Sequence, residues 1–332
     1  MIVRNVRAYY AAGRGPEVKA VDDVSLSVKE GEVLGIAGES GCGKSTLAAV
    51  MALTARPPLY IKGGTLELNG QTIQLNEQTQ APLDWHGKLV ALLPQRAMNS
   101  LNPTARVRDI VIDVVRGHDP LIRPQEAVEM ARERLEQLSL PARVLGSYPH
   151  QLSGGMRQRV VAVITTLLNP TVLIADEPTS ALDVSSQKEL MLLLQLLLAN
   201  GFITRIVFIT HDLPLLSNIA DRIAIMYAGK LVEVGPTVQI VDHPQHPYTQ
   251  VLIGSTLDPD PRLRGQRLEG ITGAPPDLRT PPSGCRFHPR CPFVMDACIH
   301  REPPVVGDAE HYAACWWVQE QASEQLYKEA VR

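Results

Sequence analysis

The residues whose pattern most clearly predicts chemistry run from Gly38 to Thr46 and read GESGCGKST. In this G-x-x-x-x-G-K-S/T spacing, glycines let backbone N–H groups face a phosphate, while the lysine and hydroxyl reach the terminal phosphates and Mg²⁺. Lys44 is therefore predicted to bind the β- and γ-phosphates of a nucleotide, and Ser45 to coordinate Mg²⁺. Residues 33–37 before the loop predict a buried strand and 47–53 after it predict a helix, which is the context that this motif requires.

Two acidic residues, Asp176 and Glu177, follow the apolar segment 172–175. A carboxylate at a strand end beside a phosphate loop can hold the hydration shell of Mg²⁺, and this is the role predicted for Asp176. Glu177 is predicted to polarise the water that attacks the γ-phosphorus. Without a phosphate loop nearby, the same acidic pair could simply cap the next helix.

A second helix start, Ser153-Gly154-Gly155, lies within the segment LSGGMRQR at 152–159. Backbone N–H groups and the positive end of the helix dipole could bind an anion there. Ser153 could equally be an ordinary N-cap of the helix. The residue types alone leave both interpretations open.

Around these motifs, the chain alternates between predicted strands and predicted helices. Apolar runs at 171–175 and 204–209 predict parallel strands, and an apolar helix at 185–198 separates them. This β-α-β order predicts an α/β core. Segments 2–10 and 20–28 predict antiparallel strands that precede the core.

Turn, helix and proline signals divide the chain further. Asn69-Gly70 and Ala228-Gly229 each follow a strand pattern and predict a hairpin turn. Helical periodicity predicts a helical subdomain inserted at about 96–160. Twelve of the 26 prolines lie between 244 and 304, which predicts a loop-rich C-terminal extension. The predicted domains are 1–242 and 243–332.

Composition limits the classes of function. The net charge is only −3, so no nucleic-acid surface and no nucleic-acid partner are expected. The N-terminus lacks the pattern of a signal peptide. The longest apolar stretch, 190–199, is shorter than the roughly 20 residues that cross a bilayer. We therefore expect a soluble, cytoplasmic chain whose role at a membrane would depend on partners.

The loop at 38–46, LSGGMRQR at 152–159 and ADEPTSALD at 175–183, in that order, resemble the nucleotide-binding subunit of an ABC transporter. The resemblance covers essentially the whole chain and implies a P-loop NTPase with a RecA-like core, an antiparallel β subdomain and a helical subdomain. It also implies a head-to-tail dimer that closes on two ATP molecules. Each ATP would then lie between one chain's phosphate loop and the other chain's Ser153-Gly154-Gly155.

The resemblance extends to single residues. Gln95 resembles the glutamine that senses Mg²⁺ and contacts the membrane partner, and His211 resembles the histidine that hydrogen-bonds the γ-phosphate. Tyr10 resembles the aromatic residue that stacks on adenine, with Tyr9 as the alternative. The residues predicted to contact nucleotide are Tyr10, Gly38, Ser40, Gly41, Cys42, Gly43, Lys44, Ser45, Thr46, Gln95, Ser153, Gly154, Gly155, Gln158, Asp176 and Asp183. Those predicted to be catalytic are Glu177 and His211, and the predicted Mg²⁺ ligands are Ser45, Gln95 and Asp176.

Three further segments, 95–103, 246–249 and 273–276, resemble the importers of the dipeptide, oligopeptide and nickel type, although Arg96-Ala97 departs from that pattern. This implies ATP hydrolysis coupled to peptide uptake at the cytoplasmic face of the membrane, with nickel or oligosaccharides as alternative cargo. The implied partners are two transmembrane permease subunits, a second ATPase subunit (a homologue or another copy) and an external substrate-binding protein. A non-transport ABC ATPase is the weaker alternative, because such proteins usually carry two nucleotide domains or long coiled-coil insertions.

Four cysteines near the C-terminus, spaced C-x5-C-x6-C-x16-C, form the last candidate site: Cys285, Cys291, Cys298 and Cys315. Four thiolates can hold zinc or an iron–sulfur cluster. The resemblance favours a [4Fe–4S] cluster of structural role, with zinc and metal-free thiols as alternatives. An iron–sulfur sensor with a vestigial ATPase is a third reading of the chain, and the intact catalytic set argues against it.

Overall fold

The computed structural model describes residues 1–13, 15–95, 101–255 and 271–330. The chain forms two compact units, the first comprising Met1–Ser27, Leu34–Thr79 and Thr210–Arg332, and the second comprising Val28–Val33 and Gln80–Ile209. The division at residue 242 into two domains stays a prediction. Within the described ranges, no helix has both the length and the apolar character needed to cross a membrane.

The elements alternate between strands and helices, as the predicted α/β class requires. The strands are β1 (Ile2–Tyr10), β2 (Val18–Ser27), β3 (Val33–Ala37), β4 (Leu59–Leu68), β5 (Gln71–Gln74), β6 (Val90–Leu93), β7 (Val172–Asp176), β8 (Arg205–Ile209), β9 (Arg222–Tyr227), β10 (Lys230–Pro236), β11 (Val305–Gly307) and β12 (Tyr312–Ala314). The helices are α1 (Lys44–Met51), α2 (Val107–His118), α3 (Pro124–Gln137), α4 (Gly154–Thr165), α5 (Val184–Ala199), α6 (Leu213–Ser217), α7 (Thr237–Asp242), α8 (Pro247–Gly254), α9 (Asp296–His300) and α10 (Trp316–Ala330).

The first unit contains an antiparallel sheet in the order β2-β1-β4-β5. In the same unit β3 pairs in parallel with β9, and β10 pairs antiparallel with β9. Every residue of β3 and of β9 is buried, and apart from Arg222 and Tyr227 the side chains of both strands are apolar, as expected for strands covered on both faces. β3 ends at Ala37, and the phosphate loop begins at the next residue, Gly38.

Both predicted hairpins are present in the first unit. Leu68 pairs with Gln71 across the turn at Asn69-Gly70, and Tyr227 pairs with Lys230 across Ala228-Gly229. All four turn residues have positive φ, from 49° to 83°. Two-residue turns of this kind match the right-handed twist of the strands that they join.

The C-terminal extension contributes strands of its own. β12 pairs antiparallel with β10, through Glu233↔Ala313 and Val234↔Tyr312, and β11 pairs with β12. The sequence predicted loops here, because strands of three residues are too short to show an alternating pattern. The part of the extension that follows the proline-rich segment is therefore joined to the sheet by backbone hydrogen bonds.

The second unit contains the parallel strands β6, β7 and β8 and the helices α2 to α5. β7 pairs with β6 on one edge and with β8 on the other, and all five of its residues are buried. α2 and α3 lie within the insertion predicted at about 96–160, whereas α4 begins within it and extends to Thr165. Residues 96–100 of that prediction, including Arg96-Ala97, lie outside the described residues.

A fully buried carboxylate, Glu233 on β10, joins three parts of the first unit. Its oxygens accept hydrogen bonds from the N–H groups of Gln245 at 2.8 Å and of His246 at 2.9 Å. The Nε2 of His311 lies 2.8 Å from the same carboxylate. The His246 imidazole in turn caps α8, since its Nδ1 accepts from the N–H of Tyr248 at 3.0 Å.

We expect the chain to lose stability in acid through His246. Burial lowers the pKa of this imidazole from 6.5 to about 4, so between these pH values the unfolded chain binds a proton that the folded chain does not. The free energy of unfolding, measured by urea titration, should fall across this window by about 3 kcal/mol in all. His246→Asn keeps a side-chain acceptor for the helix cap but does not titrate. The variant should therefore have a flatter profile, and an unchanged pH slope would contradict the assignment.

Candidate functional site

The phosphate loop follows β3 directly and ends in α1, as predicted. Gly43 stands before the first residue of the helix with φ of 108°. A Cβ at this position would lie 2.0 Å from the carbonyl oxygen of Ala20, so only glycine fits. No side chain caps α1, and the backbone N–H groups at the start of the helix can therefore donate hydrogen bonds to an anion.

Lys44 is buried inside this loop. Its Nζ donates to the carbonyl oxygens of Gly38 at 2.7 Å and of Glu39 at 3.0 Å, and lies 3.7 Å from the Cys42 Sγ. Carbonyl oxygens carry only partial charge, so they compensate a buried ammonium group incompletely. The loop is consequently prepared for a ligand of full negative charge.

Two neighbouring tyrosines at the end of β1 have different partners. The hydroxyl of Tyr10 lies 3.2 Å from the Thr46 Oγ1 in α1. The hydroxyl of Tyr9 donates to Asp22 at 2.6 Å, and burial together with this contact raises the Tyr9 pKa to about 12. Tyr10 is therefore the tyrosine that contacts the helix of the phosphate loop.

His211 is exposed and follows the strand end at Ile209. The residues on either side are fixed: the N–H of Thr210 donates to Ile36 at 3.2 Å, and Asp212 caps α6 by accepting from Leu215 at 3.0 Å. A short, capped helix therefore holds the backbone that presents the imidazole.

In the second unit, β7 ends at Asp176, which is buried, and Glu177 follows with φ of 45°. Left-handed backbone is costly for a residue with a side chain, and it persists where the surroundings hold it. The Glu177 N–H donates to Ile209 at 2.8 Å, and its carboxylate accepts from the Gln95 Nε2 at 3.0 Å. The structure thus joins two of the predicted site residues directly, and it does so on a strained turn.

Gln158 on α4 is buried and donates from Nε2 to the carbonyl oxygen of Pro178 at 2.9 Å. This contact fixes the loop that follows Glu177. The amide nitrogen of Gln158 thus has a main-chain partner within the chain, and the predicted contact with nucleotide stays a prediction.

The Ser-Gly-Gly segment forms a capped helix end. The Ser153 Oγ accepts from the N–H of Met156 at 3.3 Å, as an ordinary N-cap does. Gly154 is exposed. A Cβ on Gly155 would lie 2.5 Å from the Ser186 Oγ, so the second glycine lets α4 approach α5 closely.

Asp183 caps α5 through the same serine. Its carboxylate accepts from the Ser186 N–H at 3.0 Å and from the Ser186 Oγ at 2.8 Å, and the backbone contact first of all lowers the Asp183 pKa. Asp183 and Gly155 are therefore linked through Ser186. The remaining loop residues divide by burial: Ser40, Gly41 and Ser45 are exposed, whereas Gly38, Cys42 and Thr46 are buried.

The four C-terminal cysteines are free of disulfides, and three of them are buried. Burial first of all, with a smaller effect of the neighbouring thiols, raises the pKa of Cys285 to about 12 and of Cys291 to about 11. Protonated thiols are poor metal ligands. Across the ranges that the structure describes, no group of three or more Cys, His, Asp or Glu is arranged to hold a metal ion. The predicted [4Fe–4S] or zinc site is therefore not supported by this side-chain arrangement.

Sequence reasoning missed the residues that hold the phosphate loop from outside. The Glu39 carboxylate pairs with Arg290, and the Glu39 N–H donates to the Tyr248 hydroxyl at 2.8 Å. An acidic residue inside a loop that binds phosphate was the available signal, because such a charge needs a cationic partner.

Comparison with known proteins gives consistent matches. The ABC transporter family matches residues 21–180, and the family described as the oligopeptide/dipeptide transporter C-terminal region matches residues 232–298. The dipeptide transport ATP-binding protein DppD of Caldanaerobacter subterraneus is 42% identical over 94% of this chain and 95% of its own length. The oligopeptide transport ATP-binding protein OppD of Bacillus subtilis is 39% identical over 96% of this chain and 89% of its own length.

The solved structures give the same fold. The dimeric structure of MJ0796, a bacterial ABC transporter cassette, superposes with a TM-score of 0.60 at 26% identity, over 71% of this chain and 98% of that one. A post-hydrolysis state of the same cassette, bound to ADP and Pi, gives a TM-score of 0.59. With its phosphate loop, its acidic strand end and relatives that match over nearly its full length, the chain belongs to the ATP-binding proteins of the ABC transporter family.

Proposed function

We propose that this chain is the ATP-hydrolysing subunit of an ABC importer, and that peptides are its cargo. The observation that carries the proposal is the glycine loop at the start of α1, which buries Lys44 among carbonyl oxygens. The names of the relatives, for dipeptide and oligopeptide transport, support peptides over nickel or oligosaccharides. The match of the C-terminal region supports the same choice.

The residues fit ATP and Mg²⁺ by their chemistry. Lys44 and the N–H groups at the start of α1 would hold the phosphates, and Tyr10 would stack on adenine. Ser45, Asp176 and Gln95 each carry a side-chain oxygen of the kind that Mg²⁺ prefers, and each would be a ligand of the ion. The ion, when bound, neutralises charge on the γ-phosphate.

Hydrolysis would use Glu177 as the base. The Gln95 amide would orient this carboxylate, which polarises the attacking water and takes its proton. As the water oxygen bonds to the γ-phosphorus, the bond between the γ-phosphorus and the bridging oxygen breaks and ADP leaves. His211 would donate to the γ-phosphate. The strained turn at Glu177 supports this assignment, since strain of this kind is common at active sites.

The assembly is proposed to be a dimer at the cytoplasmic face of a membrane. One observation that supports it is the dimeric state of the related cassette. The partner ATPase is proposed to be a homologue, with a second copy of this chain as the alternative. Its Ser-Gly-Gly segment would meet the phosphate loop of this chain. Two permease subunits would convert closure into transport, and an external binding protein would deliver the peptide.

Isolation of the chain from membranes tests this proposal. We expect it to co-purify with two hydrophobic permease subunits and a second ATPase, each identified by mass, and peptides to stimulate its ATPase only in that complex. Co-purification with ribosomes or DNA would instead indicate a non-transport ATPase and would overturn the proposal.

The resemblance of the sequence, and not the arrangement of the side chains, carries a separate proposal for the four cysteines. They would hold a structural [4Fe–4S] cluster, with zinc as the alternative, after the thiols have reoriented and lost their protons. Iron, sulfide and zinc analysis of anaerobically purified protein decides the matter. Protein without any of the three would overturn the proposal.

A further inference from the structure

Glu39, inside the phosphate loop, is held by two side chains from the C-terminal part of the chain. Both terminal nitrogens of Arg290 donate hydrogen bonds to the Glu39 carboxylate, Nη1 to Oε2 at 2.7 Å and Nη2 to Oε1 at 3.0 Å. The Tyr248 hydroxyl accepts from the Glu39 N–H at 2.8 Å. The Arg290 side chain is only 5% exposed and that of Glu39 21%, so water screens this pair weakly.

Contacts outside the phosphate loop also hold the Arg290 side chain in place. Its Nε donates to the carbonyl oxygen of Thr272 at 2.8 Å, and its Nη1 lies 3.2 Å from the Tyr227 hydroxyl. A planar fork with this many partners loses little freedom when it binds a carboxylate. A lysine could supply the charge but not the two parallel hydrogen bonds.

An aromatic cluster supports both contacts. The rings of Tyr227 and Tyr248 have centroids 4.6 Å apart, and Phe287 lies 5.1 Å from the first and 5.4 Å from the second. All three side chains are buried. The packed rings therefore hold β9, α8 and the segment 285–291, which contains Arg290, against one another.

All the polar groups of Glu39 are used within the chain. Its carboxylate binds Arg290, its N–H binds Tyr248, and its carbonyl oxygen accepts from the Lys44 Nζ at 3.0 Å. A carboxylate in this loop would repel phosphate unless it were neutralised, and Arg290 neutralises it. A displacement of Glu39 would also move a partner of Lys44.

We propose that Arg290 and Tyr248 are positioning residues for the phosphate loop, through which the C-terminal extension sets the affinity for ATP by way of Glu39. The inference rests on the proposed function, since it concerns ATP binding at the same loop. It assigns the extension a role in the nucleotide site that its distance along the chain does not suggest.

The test is ATP binding by the full chain in Mg²⁺, measured by equilibrium titration, together with the unfolding temperature without nucleotide. Arg290→Met should weaken ATP binding about tenfold to a hundredfold, the usual effect of losing hydrogen bonds to a charged group. Arg290→Lys should restore part of the affinity. Tyr248→Phe, which removes one oxygen from the buried ring, should weaken binding severalfold.

Two comparisons separate positioning from general damage. In a Glu39→Gln background, Arg290→Met should change the affinity by less than about threefold, because the carboxylate that it restrains is gone. Arg286→Met is the matched control, since this buried arginine of the same segment pairs instead with Asp22 and with the carbonyl of Ala228. It should leave ATP affinity near that of the unsubstituted chain.

Each outcome decides the proposal. Equal losses of affinity in Arg290→Met and Arg286→Met, or an equal effect of Arg290→Met with and without Glu39→Gln, would overturn it. Should Arg290→Met fail to fold, unchanged ATP affinity in Tyr248→Phe and Arg290→Lys would overturn it as well. If the unsubstituted chain did not bind ATP, the proposed function itself would fail.

Discussion

Replacing Glu177 by glutamine is expected to slow ATP hydrolysis by orders of magnitude and to leave ATP binding intact. Glutamine has the same shape and can still accept the hydrogen bond that the Gln95 Nε2 donates to the carboxylate at 3.0 Å. It can also keep the backbone contact with Ile209 at 2.8 Å. What it lacks is the basicity needed to polarise water, so the rate should fall about a hundredfold to ten-thousandfold. Phosphate release from the membrane complex and ATP titration of the chain measure the two properties separately.

The control for Glu177→Gln is the same substitution at an exposed acid. Glu189 on α5 is half exposed and pairs with Arg159 at 3.1 Å, so Glu189→Gln should hydrolyse ATP at the normal rate. A normal rate in Glu177→Gln would remove this residue from its role. Loss of ATP binding together with hydrolysis would show instead that the substitution disrupts the strained turn.

Local patterns made much of the fold and site predictable. The phosphate loop is contiguous, and its glycines, lysine and flanking apolar strand lie within fourteen residues, from 33 to 46. The hairpins were predictable for the same reason, since a two-residue turn is specified by its own sequence. Acidic residues at the end of a fully apolar strand are equally local, and β7 indeed ends at Asp176.

Contacts between residues far apart in sequence could not be predicted. Arg290 and Glu39 are 251 positions apart, and neither a strand nor a helix period relates them. The pairing of β12 with β10 involves so few residues that no alternation reveals it. The hydroxyl partners that distinguish Tyr9 from Tyr10, Asp22 and Thr46, likewise become their neighbours only in the folded chain.

Some residues of the predicted nucleotide-binding motifs also have a role in packing that becomes visible only in the folded chain. Gly155 was predicted to contact nucleotide because it resembles a family motif, yet its backbone also has to pass Ser186 where a Cβ would lie 2.5 Å from Oγ. Gln158 likewise holds the turn that follows Glu177. A residue of such a motif can therefore be required by packing, and the sequence alone does not distinguish this requirement from a contact with nucleotide.

Removing the charge of Lys44 is expected to weaken ATP binding without unfolding the loop. Methionine keeps most of the buried stem, whereas the Nζ that donates to Gly38 at 2.7 Å and Glu39 at 3.0 Å is lost. In Lys44→Met, ATP affinity should fall about tenfold to a hundredfold or more, because a charged hydrogen bond to phosphate is removed. Titration with ATP and Mg²⁺ measures this change.

The unfolding temperature of Lys44→Met separates binding from folding. Without nucleotide, the variant should unfold at the same temperature as the unsubstituted chain or higher, because a buried ammonium compensated only by carbonyl oxygens is costly. With ATP in excess, the variant should gain less stability than the unsubstituted chain, by about 1.4 kcal/mol for each tenfold loss of affinity, because the stabilisation grows with the logarithm of the ligand concentration divided by Kd. Lys62→Met is the control, because that lysine pairs with Glu17 and Glu77 away from the loop. An equal gain from ATP in Lys44→Met and in the unsubstituted chain would contradict a phosphate contact by Lys44.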